Sequence, residues 1–205
     1  CADSGYYETF NRDNVTLVDI SDNSIGTFDE KGINLSSGKH IFLDEVVFAT
    51  GFDAMTGALD KIDIIGKNQI SLRKKWKEGP KSYLGLGISG FPNLFHIAGP
   101  GSPSVLTNML VSIQQHVEWI TDCITWMREK GFSKIEASKE AENSWVAHVN
   151  EVADLTVYPL CNSWYLGANI PGKTRQFMPY VGGFPPYVEK CNDVASKGYE
   201  GFKVS

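Results

Sequence analysis

Four stretches of the chain place ligand-binding residue types at spacings that could carry chemistry. The first is Gly99-Pro100-Gly101-Ser102-Pro103-Ser104, which runs directly into residues 105–130. Two glycines and two prolines set an irregular turn, Ser104 or Thr107 is placed to cap free N–H groups, and Gly131 is placed to end the helix that follows. A helix introduced in this way offers bare amides and a positive dipole end to an anionic or electron-rich group. A core helix behind a tight loop would show the same periodicity. The second stretch, Val46-Val47-Phe48-Ala49, is a short apolar run that reads as a buried strand and ends at Thr50-Gly51-Phe52-Asp53. Strands that end in small residues are typical of nucleotide-binding α/β sheets, whose ligands lie beyond the strands' carboxyl ends. The third, Gly85-Leu86-Gly87-Ile88-Ser89-Gly90, carries the letters of the dinucleotide fingerprint, but Phe91-Pro92-Asn93 stands where that fingerprint needs a helix to open. It reads as a glycine-rich turn. The fourth, 159–179, is an irregular segment of roughly twenty residues, rich in large aromatics that disorder disfavours, and it has the character of a lid.

Other chemistries lack their residues. There is no Gly-x-Ser-x-Gly elbow and no Cys-x-x-Cys pair, and His40, His96, His116 and His148 do not fall at metal-ligand spacing. The formal net charge of −5, with Arg73-Lys74-Lys75-Trp76-Lys77 as the one basic cluster, argues against nucleic acid. No apolar run reaches membrane-spanning length. Four well-separated cysteines (Cys1, Cys123, Cys161, Cys191) fit a reduced, cytoplasmic protein. The chain opens Cys1-Ala2-Asp3-Ser4-Gly5, as though cut from something longer.

The elements that must position these stretches follow from patterning. Residues 15–20 alternate as a half-buried strand, 25–28 looks like its neighbour, and turns at Lys31-Gly32 and Ser37-Gly38-Lys39 complete a small β-meander. Residues 62–70, centred on Gly66-Lys67-Asn68, read as a hairpin, and 94–98 as β-like. Leu106, Leu110, Ile113, Val117, Ile120, Ile124 and Met127 recur in steps of four and three, the stripe of a long, largely buried helix. Ser138 caps a second helix through Leu155, with Trp145, Val149 and Val152 on one face and Glu140 and Glu142 at its start. A last short helix spans 188–197 and ends at Gly198.

Taken together, Phe48 to Asp53, the turn 99–109, Ser112-Ile113-Gln114-Gln115-His116-Val117-Glu118-Trp119 and the loop Ser163-Trp164-Tyr165-Leu166-Gly167-Ala168-Asn169-Ile170-Pro171-Gly172-Lys173 resemble the carboxyl-terminal part of a type I Baeyer–Villiger monooxygenase. Within that family the chain is most similar to phenylacetone and steroid monooxygenases, and also resembles cyclohexanone monooxygenase. The resemblance implies an α/β fold made of the second halves of two dinucleotide-binding domains with long carboxyl-terminal helices. Residues 1–49 would be the returning part of an NADPH domain, Thr50 and Gly51 the crossing, and 50–205 the carboxyl-terminal part of an FAD domain with a mobile loop at about 159–179. It implies FAD and NADPH as cofactors, and a ketone and O2 as substrates. A flavin peroxide would insert oxygen beside the carbonyl, giving an ester or lactone. Thr107, Asn108 and Met109 match positions facing the flavin, Trp164 the tryptophan that reaches NADP, and Ser104, Val105, Leu106, Met109 and Met178 positions around the ketone. The family's catalytic arginine and both true glycine fingerprints would lie upstream. The missing amino-terminal part would then be a partner, and the isolated chain would be inactive. An N- or S-oxygenating flavin monooxygenase and a non-catalytic structural fragment are the alternatives.

Overall fold

The structure, a computed structural model, describes residues 4–205. Cys1, counted above, and the two residues after it lie outside the described residues. The fold is mixed α/β and divides into two compact units, one through Thr50 and one from Gly51.

The first unit holds a short helix α1 (Tyr6–Thr9) and an antiparallel meander of β1 (Ile25–Asp29), β2 (Gly32–Leu35) and β3 (His40–Phe42). The turn between β1 and β2 depends on Gly32 at φ 145°, where a Cβ would collide with the carbonyl oxygen of Ile41 on β3. His40 closes the sheet by bonding the Asp29 carboxylate at 3.1 Å. Two expected strands do not form. Residues 15–20 make no ladder, so β1 pairs only with β2. Residues 46–49 are not a strand and are exposed, with Val47 at 86% and Phe48 at 69%. An inner strand needs neighbours on both edges, and the described residues offer this run none.

In the second unit, α2 (Gly57–Asp60) and α3 (Leu72–Lys75) lead to the long helix α4 (Met109–Lys130). Strand β4 (Ile135–Ala137), α5 (Lys139–Asp154), α6 (Phe184–Ser196) and β5 (Phe202–Val204) follow, with β5 antiparallel to β4. Leu84, Leu86, Trp119, Cys123, Ile135, Trp145, Val149, Tyr187 and Val194 form the main core. A buried ion pair joins α3 to α5: Lys75 Nζ lies 2.8 Å from both oxygens of Glu142, which also accepts from the Ser89 amide at 2.9 Å. Ser138 caps α5 as its sequence requires, its side chain accepting from the Ala141 amide. The expected 62–70 hairpin is reduced to one bridge, Ile65 to Ser71, around a single 3-10 turn, because Asn68 and Gln69 both adopt positive φ. The 94–98 run keeps only the bridge from Phe95 to Gly87. Helix α6 begins at Phe184, earlier than the expected 188, because Pro185 and Pro186 suit a first helical turn.

The long helix differs most from expectation. It starts at Met109 instead of 105, after a separate 3-10 turn, Ser104–Leu106, and an extended Thr107. Its cap is Asn108, whose Oδ1 accepts from the Leu110 amide at 3.0 Å, and Gly131 closes it at φ 72°. Its buried face carries Ser112, His116, Trp119, Cys123 and Met127. Leu110, Val117 and Ile124 of the expected core stripe are exposed at 76%, 44% and 38%.

Candidate functional site

The turn 98–104 is held from several sides before the helix begins. Ala98 takes φ 55°, and its amide donates to His116 Nδ1 at 2.9 Å. Gly99 passes so close to residue 85 that a Cβ would lie 2.5 Å from the Gly85 carbonyl oxygen. Gly101, at φ 90°, donates its amide to the Met178 carbonyl at 2.6 Å and accepts from Trp145 Nε1 at 2.9 Å. The Tyr180 amide donates to the Ser102 carbonyl at 2.8 Å. The turn is thus fixed to α4, to α5 and to the irregular 178–180 segment. Its position does not depend on its own weak propensity.

Behind it lies a buried polar relay. His116 Nδ1 accepts from Ala98, so the neutral ring carries its proton on Nε2 and donates to Tyr187 Oη at 2.9 Å. Tyr187 in turn donates to the Leu84 carbonyl at 2.7 Å. Burial holds His116 down to about 4 and raises the Tyr187 phenol well above its ordinary value. Both therefore serve as fixed neutral hydrogen-bonding groups near pH 7. His96 is also buried and lowered to about 4, but neither of its ring nitrogens has a partner among the described residues; its ring meets Trp76 edge-on at 5.5 Å.

The residues singled out in the sequence separate into distinct settings. Ser104 is buried at φ 44°, with Oγ 3.6 Å from Met55 Sδ, and Met178 is buried beside Gly101. Val105, Leu106 and Thr107 are half-buried. Leu106 packs in one small cluster with Leu166 and Phe177 of the 163–178 loop, so the structure brings the turn and that loop together. Met109 is at the surface with Leu110 and Val111, forming an apolar collar around the open end of α4. First-turn amides of a helix lack partners inside it, and here they are flanked by that collar. Gly51, at φ 78°, is exposed, as is Thr50.

The loop is anchored along its length. Trp164 is 37% exposed and lies over Tyr165, ring centres 4.2 Å apart, while Tyr165 packs against Tyr158 and Phe177. Asn169 Nδ2 donates to the Phe52 carbonyl at 3.0 Å. Lys173 Nζ reaches the Asp53 carboxylate and, at 2.7 Å, Thr56 Oγ1. Thr174 and Gln176 bond the carbonyls of Lys77 and Pro80. Sequence reasoning assigned no role to Asp53, Asn169, Lys173 or His116. A pair 120 residues apart leaves no local signal, and a histidine on a helix face does not declare whether it points inward. A cleft of about 570 Å³ lies between this loop and the 53–80 segment, bordered by Asp53, Arg73, Trp76 and Lys173. No group of three or more metal-ligating side chains occurs among the described residues, and no described helix is long and apolar enough to cross a membrane.

No protein-family profile matches the chain. Among curated proteins, it is 43% identical over 202 residues to cyclohexanone 1,2-monooxygenase of an Acinetobacter species, covering 98% of this chain and 37% of that protein. It is 45% identical over 196 residues to a Baeyer–Villiger monooxygenase of Pseudooceanicola batsensis, covering 96% and 36%. Among solved structures, oxidized steroid monooxygenase bound to NADP superposes with a TM-score of 0.84 at 50% identity, covering 98% of this chain and 38% of that one. The chain therefore spans little more than a third of the length of the relatives it matches. Nearly every residue takes part in these alignments, at identities far above those at which fold alone is shared, and the chain is homologous over its length to part of the Baeyer–Villiger monooxygenases.

Proposed function

We propose that these residues form part of an FAD- and NADPH-dependent enzyme that uses O2 to insert oxygen beside a ketone carbonyl, giving an ester or lactone. In this reading, 1–49 is the returning part of the NADPH-binding domain and 50–205 the carboxyl-terminal part of the FAD-binding domain, with the crossing at Thr50 and Gly51. The observation that carries it is the open amino end of α4, presented by a turn whose backbone is hydrogen-bonded to two helices and to 178–180.

That end fits a flavin's chemistry. The first-turn amides that Asn108 leaves uncapped, with the dipole of a 22-residue helix, favour negative charge, and the collar of Met109, Leu110 and Val111 suits a planar heterocycle. FAD, when bound, supplies the electron transfer and oxygen activation. The chain's own contribution is positional. Thr107, Asn108 and Met109 hold the electron-rich edge of the ring, and Asn108 keeps the first turn from fraying. Ser104, Val105, Leu106, Met109 and Met178 shape the wall against which the ketone rests. Trp164, on an anchored but partly exposed ring pair, contacts the nicotinamide nucleotide and helps exclude water. The rest of the enzyme's length supplies the remaining machinery.

Replacing Trp164→Ala in the full-length enzyme tests this. NADPH KM should rise roughly tenfold, the worth of one lost aromatic contact, and ester formation should fall while FAD stays bound. Kinetics unchanged from the parent would remove Trp164 from the site. Offering an amine or a sulfide beside the ketone separates this activity from N- or S-oxygenation.

A further inference from the structure

We infer that Lys173, Asp53 and Asn169 form a two-point latch that sets the position of the 163–176 loop, and that Lys173 and Asp53 are positioning residues for the tryptophan it carries. The inference rests on the reading of Trp164 given above. The first point is the Asn169 side-chain amide on the Phe52 carbonyl at 3.0 Å, beside exposed Gly51. The second is Lys173 Nζ, shared between the Asp53 carboxylate and Thr56 Oγ1.

This geometry is built, not incidental. Thr56 is 2% exposed and the Lys173 side chain 17%, so the ammonium is largely withdrawn from water and an ion pair here is less screened than one on an open surface. Two glycines make room for the pair. A Cβ on Gly57 would lie 2.6 Å from Asp53 Cβ, and one on Gly167, already at φ 70°, would lie 3.0 Å from the Lys173 stem. The Lys173 stem thus folds back over the residue that ends the Trp164–Leu166 turn, which couples the latch to the tryptophan three residues earlier.

The latch segment also touches the other side of the site. Met55, two residues from Asp53 and held at φ 66°, places its sulfur 3.6 Å from Ser104 Oγ. One short segment, 52–56, therefore contacts both the loop and the turn that introduces α4. Releasing Lys173 would let the loop move relative to Ser104 without disturbing the main core, which contains none of these residues.

The test is amide hydrogen exchange in the full polypeptide that carries these residues, with FAD bound and NADP left out. Lys173→Gln and Asp53→Asn should each speed exchange in 163–176 about tenfold or more, since a charge-assisted bond is lost, while the α5 and α6 amides keep their rates. Lys173→Arg should restore most of the protection, and so should the charge-swapped pair Asp53→Lys with Lys173→Asp. The Lys173→Gln enzyme should show a raised NADPH KM with a smaller change in kcat, and the swapped pair should bring it back. Unchanged loop exchange in both single variants would overturn the latch, as would acceleration spread over 51–205. Exchange is read with no nicotinamide present, so its failure is distinct from a failure of the Trp164 assignment, which the Trp164→Ala kinetics decide.

Discussion

A buried histidine whose ring nitrogens face no partner is an expense that the rest of the molecule must cover. His96 and His116 are both withdrawn from water, and burial lowers both to about 4 from an ordinary 6.5. Below about pH 6.5 the unfolded chain takes up protons that the folded chain refuses until near pH 4. Stability is thus complete above pH 6.5 and falls as pH drops through that window, by roughly 3 kcal/mol for each ring. The two differ in their partners. His116 has one on each nitrogen, whereas His96 has none among the described residues. His96→Phe should therefore raise stability at pH 7 by about 1 kcal/mol and remove close to one proton from the slope between pH 6.5 and 4. Urea unfolding across that range checks it; an unaltered slope would mean that His96 is charged or solvated in the fold. Neither histidine's setting was legible in the sequence, because burial at 96 and 116 is decided by residues such as Trp76 and Tyr187 that lie far away along the chain.

Among the elements, α5 was read almost entirely from its sequence: its Ser138 cap, and Trp145 and Val149 turned inward. Local chemistry decides such features, since a cap bonds within three residues and a single apolar face has one place to go. Helix α4 has two apolar faces. Trp119, Cys123 and Met127 recur in steps of four, as do parts of the Leu110 to Ile124 stripe, and periodicity cannot rank two such faces. The core takes the face that brings His116 to Ala98 and Tyr187. Helix α3 shows another gap, since nothing in the basic run Arg73-Lys74-Lys75 marks Lys75 as the one that is largely withdrawn from water and paired with Glu142. Removing Lys75 leaves a carboxylate 2% exposed without its counter-charge. Lys75→Met should cost about 3 kcal/mol in urea unfolding, and a loss under 1 kcal/mol would mean that water reaches Glu142 readily.

At the scale of the molecule, the chain resolves into two units, each with antiparallel strand pairs only among the described residues. Dinucleotides bind beyond the carboxyl ends of parallel strands, a pairing absent among the described residues of either unit. The purified 205-residue chain should accordingly form no ester from cyclohexanone, NADPH and O2; product found by gas chromatography would refute this. The exposed runs at 46–48 and along α4 mark where sequence patterning anticipated burial that these residues alone do not provide. The peptide of Gly101, by contrast, has both of its polar groups engaged, the amide by Met178 and the carbonyl by Trp145. That arrangement bears on how the protein would respond to mutation. Substitutions of Trp145 on α5 should act on the mouth of α4 through Gly101, and their effects should not add to those of changes at 104–109. On the proposed reading, a laboratory search for altered ketone preference would gain by varying Trp145 together with Ser104, Met109 and Met178, because each can mask or expose the others.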